Sequence, residues 1–540
     1  MNLIARSRAA LRILLGRSPA ALASARGPQV RMYHAAKNSR LTSGWNATQS
    51  SSDAELHSSL RTLRGRSRSL IRDNAYAKRA KAIVVNNVIG TGVGIQAQVQ
   101  NNRGRLLDDV NSGIEDVFYA WGRAEYCHTG GALDFQAFEQ ALMGQVFEAG
   151  EVFVRRHLRS FGDSPVPYAL EMIEAERIAD EYAVPFANGA NEIRMGIEVD
   201  KFQRAVAYWF RERHPGDLRA VSTATDNLIR VPAEQIWHLR IVTRWPQVRG
   251  EPWMHAVMRT LNDIDGYSEA EIVAARAAAC YMGFIETPDG NNPLADAQTD
   301  PAAPRDYSME AGTVEALAAG EKFQGYSPTR PNAAMADFLR HMLRQASSGM
   351  RGVTYETLSG DYSQSNYSSS RLGVIDSRDE HRVLQRWWIR NFRELLHAEW
   401  LRQAVYAGAI PAISIAEYVT DPMKFARAKF QPRGWTWIDP SKDVDASLAA
   451  IKGGLTTMTD VIDATNGGAD IEETLKTRRR ELDLMADIDL VFETSPEAYM
   501  AKAAPPPAPA PKEPAAPKPD AAGDQAAADD PARARVHQLR

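Results

Sequence analysis

The glycine-rich run Gly90–Gly94 is the first segment that could carry chemistry, because glycine loops of this kind can cradle phosphates. Its glycines lack the spacing of the dinucleotide-binding fingerprint, and Gln96–Val99 resembles a strand where that motif requires a helix. The chain contains no Gly-Lys dipeptide, which excludes the usual nucleotide-binding loop of ATPases. The run therefore predicts a tight turn, and the protein is not expected to be an ATPase.

The two cysteines and eleven histidines also lack catalytic or metal-binding spacings. Cys127 and Cys280 are too few for a disulfide framework or a zinc site, and we expect buried, apolar roles for both in a reducing cytoplasm. Cys127 and His128 are adjacent, so their side chains point apart in a helix or a strand. No histidine is followed by glutamate, which excludes the two-histidine zinc helix.

The remaining candidates have structural explanations. His238 and His255 flank the junction between a β-rich region and a long helix, and we expect structural roles for both. The pair Asp108-Asp109 could bind a metal in principle, but acidic pairs on solvated helix faces are far commoner. We therefore predict that the protein is not an enzyme and has no catalytic residue, cofactor or metal.

Length and composition indicate a protein of several globular parts. Its 540 residues favour roughly three or four folding units, and an apolar content of 44% is typical of folded proteins. The net charge of −3 provides no global basic field for coating nucleic acid. The longest uncharged stretch, Ala82–Asn102, is too polar to span a bilayer, so no membrane association is expected.

The N-terminal segment, residues 1–53, has its own composition. It contains no acidic residue before Asp53, and arginines are spaced through an Ala/Leu/Ser background. This composition is typical of a mitochondrial transit peptide, of a basic arm that touches nucleic acid or an acidic partner, or of a mobile arm without a specific role.

The pattern beyond this arm predicts an α+β protein. Helical spacing and β-branched runs predict an arginine-rich helix, a strand and turn, another helix, and a β-rich region that is antiparallel because no long helix separates its strands. These elements are expected at Ala54–Val85, Val84–Val99, Leu106–Tyr126 and Val146–Trp245.

The second half is predicted to be mainly helical. Long helices are expected at His255–Phe284 and Asn332–Met350, followed by a serine-rich loop at Asp361–Ser370. The capping-box spacing of Ser377 and Glu380 predicts the start of the next helix. That helix carries an apolar stripe of Leu384, Trp388, Phe392, Leu395 and Trp400. A helical region at Asp443–Met485 and a disordered Ala/Pro tail past Ser495 complete the prediction.

Four segments together resemble the lambda-type family of phage portal proteins, in order and in spacing. The segments are Arg72–Ala77 with Asn86–Gly92, Val231–His238 with Arg244–Pro252, Ser359–Arg371, and Trp437–Lys442. The third, Ser-Gly-Asp-Tyr-Ser-Gln-Ser-Asn-Tyr-Ser-Ser-Ser-Arg, is the most specific. Pro246 departs from the family pattern, which more often has glycine there, and this affects only local turn geometry.

The resemblance implies a portal fold with a β-rich wing, long stem helices, a small clip, a tunnel loop and a helical crown. The corresponding ranges are 1–53 for the basic arm, 54–250 for the wing, 251–284 and 332–358 for the stem helices, 285–331 for the clip, 359–372 for the tunnel loop, 373–410 for a long helix, 411–495 for the crown and 496–540 for the tail.

The resemblance also implies a dodecameric ring of identical subunits at one capsid vertex, as part of the virion, assembled in the bacterial host cytoplasm. The implied partners are double-stranded DNA, the large terminase subunit, head–tail connector proteins, and the major capsid or scaffold protein. The implied DNA-channel residues are Asp361, Tyr362, Ser363, Gln364, Ser365, Asn366, Tyr367 and Arg371. The neutral hydrogen-bonding groups of Ser363–Tyr367 suit DNA of any sequence that must slide through a channel.

Alternatives remain open for the loop and for the whole protein. The loop could be a solvent-exposed connector without DNA contact, and Arg371 could either touch phosphate or cap the following helix. The arginine-rich N-terminus is also compatible with an organelle-targeted enzyme of unknown reaction, and the Pro/Ala tail with a membrane-associated or adaptor protein.

Overall fold

The computed structural model describes residues 40, 49–185, 191–217, 228–280, 284–285, 315–316, 334–364, 366–436, 439–465, 471–488 and 490. The chain divides into two compact units, Met1–Ala469 and Asp470–Arg540. Helices and antiparallel sheets make up the described part of the first unit, which confirms the α+β class. The helix α15 (Ile471–Asp487) makes up nearly all of the described part of the second unit.

Two consecutive helices open the first unit and meet at one asparagine. They are α1 (Ser52–Asp73) and α2 (Ala75–Val88). The Asn74 backbone N–H donates to Leu70 O at 2.8 Å and ends α1, while its Oδ1 accepts the Ala77 N–H at 2.8 Å and begins α2. Helix α2 continues through residues 84–88, where the sequence predicted a strand and turn. That prediction was wrong because Val84 and Val88 are buried on the same helix face as Ala77 and Ala80.

The segment that follows places a short strand beside three helices. Its elements are β1 (Gly94–Ala97), α3 (Asp108–Trp121), α4 (Ala124–Cys127) and α5 (Phe135–Ala149). Helix α5 ends at Gly150, whose φ of 87° is the left-handed conformation that glycine adopts most easily. Cys127 is buried as predicted, whereas the side chain of Cys280 lies outside the described residues.

The β-rich region is antiparallel, as predicted. It contains a three-stranded sheet in the order β3-β2-β8 and a four-stranded sheet in the order β4-β5-β6-β7. The strands are β2 (Glu151–His157), β3 (Ala169–Ile173), β4 (Glu192–Arg194), β5 (Ile197–Val199), β6 (Ala205–Phe210), β7 (Ile229–Pro232) and β8 (Ile236–Arg240).

Two helices frame a segment that is largely outside the described residues. They are α6 (Met258–Cys280) and α7 (Met335–Ser348), slightly shorter than the sequence predicted. Between them the structure describes only β9 (Phe284–Ile285) and β10 (Glu315–Ala316), which pair in parallel. The predicted clip at 285–331 therefore lies mostly outside the described residues.

A short helix α8 (Tyr355–Ser359) precedes the long α9 (Tyr367–Trp388), which continues through a π-helical turn (Ile389–Arg393) into α10 (Glu394–Tyr406). Ser377 and Glu380 lie inside α9, so the predicted helix start was wrong. Their side chains make tertiary contacts instead: Ser377 Oγ donates to Gly352 O at 2.9 Å, and Glu380 pairs with Arg351 at 3.0 Å.

The C-terminal part of the first unit contains short helices and one strand. These are α11 (Ile415–Thr420), α12 (Pro422–Phe425), β11 (Ala428–Gln431), α13 (Pro440–Lys452) and α14 (Met458–Thr465). Strand β11 pairs antiparallel with β1, which joins the two ends of the unit. The predicted helical region at 443–485 is thus three separate helices.

Candidate functional site

The loop between α8 and α9 begins on a well-defined helix end. The Thr354 hydroxyl accepts from the Thr357 N–H and the Thr357 hydroxyl accepts from the Thr354 N–H, which forms a reciprocal cap. At the other end, Gly360 has a φ of 74°, and its N–H donates to Glu356 O at 2.9 Å. The chain therefore leaves α8 in a fixed direction.

Asp361 anchors the start of the loop to the protein. Its carboxylate accepts hydrogen bonds from the Ser363 N–H at 3.0 Å and the Tyr355 hydroxyl at 2.7 Å, and it lies 3.8 Å from Arg340 Nε. These hydrogen bonds lower the pKa of Asp361 to about 2. The side chain therefore shapes the loop and ties it to α7, which contains Arg340.

The exposed tip of the loop comes directly after this anchor. Tyr362 is 57% exposed, and Ser363, Gln364 and Asn366 are also exposed. Ser365 and the side chain of Tyr367 lie outside the described residues. Helix α9 begins at Tyr367, so the loop is shorter than the predicted Asp361–Ser370.

Arg371 lies on the first turns of α9 and faces another helix. Its guanidinium donates to Asp443 Oδ1 at 3.1 Å, and both side chains are partly buried. Asp443 belongs to α13, so the ion pair ties the end of the loop to the segment predicted as the crown. The predicted loop residues are thus held at one end by Asp361 and at the other by Arg371.

The glycine run forms the predicted tight turn. Gly90 and Gly92 have φ values of 60° and 110°, and the Gly92 N–H donates to Ile89 O at 3.0 Å. A Cβ on Gly92 would lie 2.8 Å from the Gln136 side chain, so the turn needs glycine for conformation and for space. The chain then enters β1 instead of the helix that a dinucleotide site requires.

A buried ion network that the sequence did not reveal centres on Glu151. Its Oε1 accepts from Arg249 Nε at 2.7 Å and from Arg64, and its Oε2 accepts from the Gly250 N–H at 2.7 Å. His238 Nε2 lies 2.8 Å from the same Oε2. Arg249 also donates to the carbonyls of Met195 and Ala175, both at 3.1 Å. One carboxylate thereby joins α1, β2, β8 and the segment before Pro252.

The protonation states in this network follow from its burial. Burial alone raises the pKa of Glu151, but Arg249 and Arg64 together hold it well below its ordinary value. Burial, with Arg240 nearby, lowers the pKa of His238 to about 3, so the ring is neutral. The predicted structural role of His238 agrees with this geometry. The side chains that pair with Glu151 are 87 to 98 residues away in sequence, which explains why no local motif pointed to this network.

A second buried pair lies at the π-helical turn. Arg393 NH2 donates to Val93 O at 2.7 Å, and its NH1 lies 3.7 Å from Glu139 Oε2. The Arg393 guanidinium also lies against the rings of Phe118 and Phe135, at 5.2 and 4.9 Å. Burial lowers the pKa of Arg393 and raises that of Glu139. These contacts fix the π-helical turn against α3 and α5.

Other chemistry is limited within the described ranges. Burial raises the pKa of the Cys127 thiol to about 12, so it is a poor nucleophile. No cluster of three or more His, Cys, Asp or Glu side chains with metal-binding geometry occurs among the residues that the structure describes. None of the helices described is both long and apolar enough to cross a bilayer.

Comparison with known proteins identifies the family. The family model for "Phage portal protein, lambda family" matches residues 38–385, a range that includes the loop at Asp361–Arg371. The chain belongs to the lambda family of phage portal proteins. The portal role predicted from the sequence is thereby confirmed, and the organellar-enzyme alternative has no support.

Curated relatives of this portal protein come from several phages. A probable portal protein of Halomonas phage phiHAP-1 is 30% identical over 452 residues, which cover 82% of this chain and 85% of that protein. The portal protein of Escherichia phage N15 is 21% identical, covering 77% and 83%. Portal protein B of Escherichia phage lambda is also 21% identical, covering 76% and 82%.

Solved structures that match this chain include chains of gene transfer agent particles. The neck of an empty particle, computed with C6 symmetry, matches with a TM-score of 0.36 and 15% identity, over 73% of this chain and 92% of that one. A chain from the virion of a native particle matches with a TM-score of 0.36 and 12% identity, over 75% and 93%.

Proposed function

We propose that this portal protein forms a homo-oligomeric ring, a dodecamer, at one capsid vertex. The ring is the conduit through which double-stranded DNA is packaged and ejected. It is also the attachment point for the large terminase subunit and the head–tail connectors, and it contacts the major capsid or scaffold protein. Assembly takes place in the bacterial host cytoplasm. Membership of the lambda portal family, matched over residues 38–385, is the observation that supports this proposal.

The regions of the ring follow the elements of the fold. The β-rich part up to Gly250 is the wing, α6 and α7 are the stem helices, and the segment between them is the clip. Helices α13 to α15 belong to the crown. The proposed role is structural, without catalysis by this chain. In its support, Glu151 and Glu139 are buried in internal ion pairs, and the Cys127 thiol is buried with a raised pKa.

Within the ring, the loop tip at Tyr362–Asn366 is proposed to face the DNA. Its exposed groups are neutral, so they can exchange hydrogen bonds with passing phosphates without trapping them. Asp361, the acidic residue of the loop, is turned onto Tyr355 and Ser363 and so contributes to the loop's shape. Arg371 is held by Asp443, which favours a structural role for it over a direct phosphate contact.

Native mass spectrometry and negative-stain imaging of the purified full chain test the ring. A ring of about twelve subunits with a central channel is expected. Stable monomers or dimers over a wide concentration range would contradict the proposal.

A packaging assay on assembled rings tests the loop tip. The double variant Tyr362→Ala, Gln364→Ala should form rings but fill capsids more slowly, because the tip loses the groups that face the DNA. The variant Tyr406→Ala removes a similarly exposed tyrosine from the end of α10 and should fill normally. Equal filling by the tip variant and the unmodified ring would show that the loop is only a connector.

A further inference from the structure

Two turns in the wing carry the most exposed aromatic side chains of the part that the structure describes. Trp245 is 69% exposed and Phe202 is 67% exposed. Tryptophan is strongly enriched among the residues that dominate protein–protein binding energies, and a large aromatic ring exposed to this extent is unusual in a side chain without a partner.

The turn that carries Trp245 is rigid. The buried amide of Gln247 accepts from the Thr243 N–H at 3.1 Å and donates to Arg249 O at 2.8 Å. The Gln247 backbone N–H donates to Arg244 O at 2.9 Å and closes the turn around Trp245 and Pro246. Because this backbone is already ordered, little conformational entropy is lost when the indole binds a partner.

The turn that carries Phe202 is held in the same manner. The Asp200 carboxylate accepts from the N–H groups of Phe202 and Arg204, at 2.8 and 2.9 Å. The Asp200 N–H donates to Arg204 O at 2.9 Å, which closes the turn between β5 and β6. The side chain of Gln203 is bound by Arg194. Phe202 is therefore presented from a fixed backbone.

The two turns form one surface with a basic rim, which we call the aromatic patch: Lys201, Phe202, Arg204, Trp245 and Pro246. Gln203 and Ala205 beside the first turn line the same small cavity as Trp245 and Pro246, so the turns are neighbours. Lys201 and Arg204 are exposed, and the Lys201 ammonium lies 4.9 Å from the centre of the Phe202 ring. Neither has an ion-pair partner among the described residues. A partner should therefore offer a flat, acidic surface.

The same chain carries such a surface on α3, which we call the acidic face: Asp109, Ser112, Asp116, Tyr119 and Ala120. These residues recur at helical spacing and lie on one side of the helix, opposite the buried Ile114 and Trp121. Within the described part of the chain, neither aspartate has an ion-pair partner. The small residue Ser112 lies between the two carboxylates on this face and leaves room for a flat ring.

We infer that the aromatic patch of one copy docks on the acidic face of α3 in the next copy. The two surfaces are different, so the contact is head-to-tail, which is the kind of contact that generates a ring. Trp245 and Phe202 would supply the apolar anchors, and Lys201 and Arg204 would pair with Asp109 and Asp116. The inference rests on the ring proposed above and assigns one of its subunit contacts.

Alanine substitution with a matched control tests the anchors. The double variant Trp245→Ala, Phe202→Ala should weaken subunit association of the full chain at least about 30-fold, measured as the concentration at which rings dissociate in native mass spectrometry. Both side chains are exposed, so the circular dichroism spectrum and melting temperature of the monomer should not change. The control Leu158→Ala, Tyr406→Ala removes two other exposed apolar side chains and should leave association unchanged.

Charge reversal tests the pairing of the two surfaces. The variants Lys201→Glu, Arg204→Glu and Asp109→Arg, Asp116→Arg should each fail to assemble alone, because like charges would then face each other. An equimolar mixture of the two variants should assemble as an alternating ring, because the patch of each then meets the opposite charge on the face of the other. One chain with all four changes should also assemble again. If the two double variants failed to assemble because they were misfolded, combining all four changes in one chain would not restore ring assembly.

The outcomes separate this inference from the ring itself. Rings that form with unchanged stability in the alanine variant would overturn the contact while leaving the portal ring intact. Failure of the fourfold variant to assemble, with both surfaces folded, would also overturn it. If the unmodified chain forms no ring, both the ring and this contact are wrong.

Discussion

Glu151 shows how one residue can support a whole region, since Arg64, Arg249 and His238 all converge on its carboxylate. In Glu151→Gln the two arginines remain buried without a counter-charge. The free energy of unfolding should fall by about 3–5 kcal/mol, measured by denaturant unfolding monitored by tryptophan fluorescence.

The matched control for that change is Glu171→Gln, which removes a carboxylate from a partly exposed pair with His157. Its effect should be below about 1 kcal/mol. Similar losses in the two variants would show that the buried network does not carry the stability assigned to it.

A second prediction at the scale of residues concerns the loss of folding stability at acidic pH. His397 is buried, and burial with Arg393 nearby lowers its pKa to about 3. The unfolded chain binds a proton at His397 near pH 6.5 while the folded chain does not, so the stability that this group contributes is present above pH 6.5 and lost as pH falls. The loss is about 1.4 kcal/mol per pH unit.

His397→Phe removes this linkage, since the rings of Trp400, Phe118 and Phe430 surround the site. Between pH 7 and pH 5 the variant should lose about 2 kcal/mol less stability than the unmodified chain, measured by denaturant unfolding at both pH values. Replacing the exposed His57 with glutamine removes a histidine far from this cluster in sequence and serves as the control. An equal acid sensitivity in all three proteins would contradict the assignment.

At the scale of elements, two glycines allow the end of α5 to meet the segment after β8. A Cβ on Gly250 would lie 2.2 Å from Gly150 O, and one on Gly150 would lie 2.2 Å from the Glu251 carbonyl carbon. Gly250→Ala should therefore destabilise this region by on the order of 4 kcal/mol or more, seen as a lower melting temperature or loss of soluble protein.

Gly65 in α1 is the control for this prediction, because a Cβ there meets no atom within 4 Å. Gly65→Ala should raise the free energy of unfolding by about 0.5–1 kcal/mol, since alanine restricts the unfolded chain and favours a helix. If both alanines behaved alike, steric contact would not be the reason for the glycine at position 250.

The link between α9 and α13 is the other prediction at this scale. None of the residues of α13 is buried, so the Arg371–Asp443 ion pair is a main tether of this helix. Arg371→Gln or Asp443→Asn should speed amide hydrogen exchange in α13, with a coupling of about 0.2–1 kcal/mol in a double-mutant cycle. Arg386 is an exposed arginine of α9, the helix that also contains Arg371, and Arg386→Gln should not change amide exchange in α13. Unchanged exchange in both tether variants would contradict the assignment.

At the scale of the whole molecule, the proposed subunit contact predicts a salt dependence. Ion pairs at its rim are screened as ionic strength rises, because the Debye length falls from about 10 Å at 0.1 M to about 3 Å at 1 M. Rings should therefore dissociate at higher protein concentration in 1 M than in 0.1 M sodium chloride, by native mass spectrometry or light scattering. Rings that tighten with salt would indicate an apolar contact without the charged rim.

Much of the fold followed from local pattern. The short strand-like runs of residues 146–245, without a long helix between them, predicted an antiparallel region. The helical spacing of Leu384, Trp388 and Phe392 predicted an apolar helix stripe, and the structure confirms both. Leu395 was expected on that face but is exposed, whereas Leu396 is buried. The π-helical turn at Ile389–Arg393 shifts the register by one residue, and periodicity alone does not show such a turn.

The sequence by itself determined the α+β class, the absence of a nucleotide-binding loop motif and, through Ser359–Arg371 and its companion segments, the portal family. These three results depend on the order and spacing of residues along the chain, which can be read directly from the sequence. Only the tertiary structure decided that Ser377 lies inside a helix, that Asp361 and Arg371 anchor their loop, and that Glu151 joins Arg64 to Arg249. The reason is that burial and ion pairing depend on tertiary contacts, such as those of Glu151 with partners 87 and 98 positions away, which no local pattern encodes.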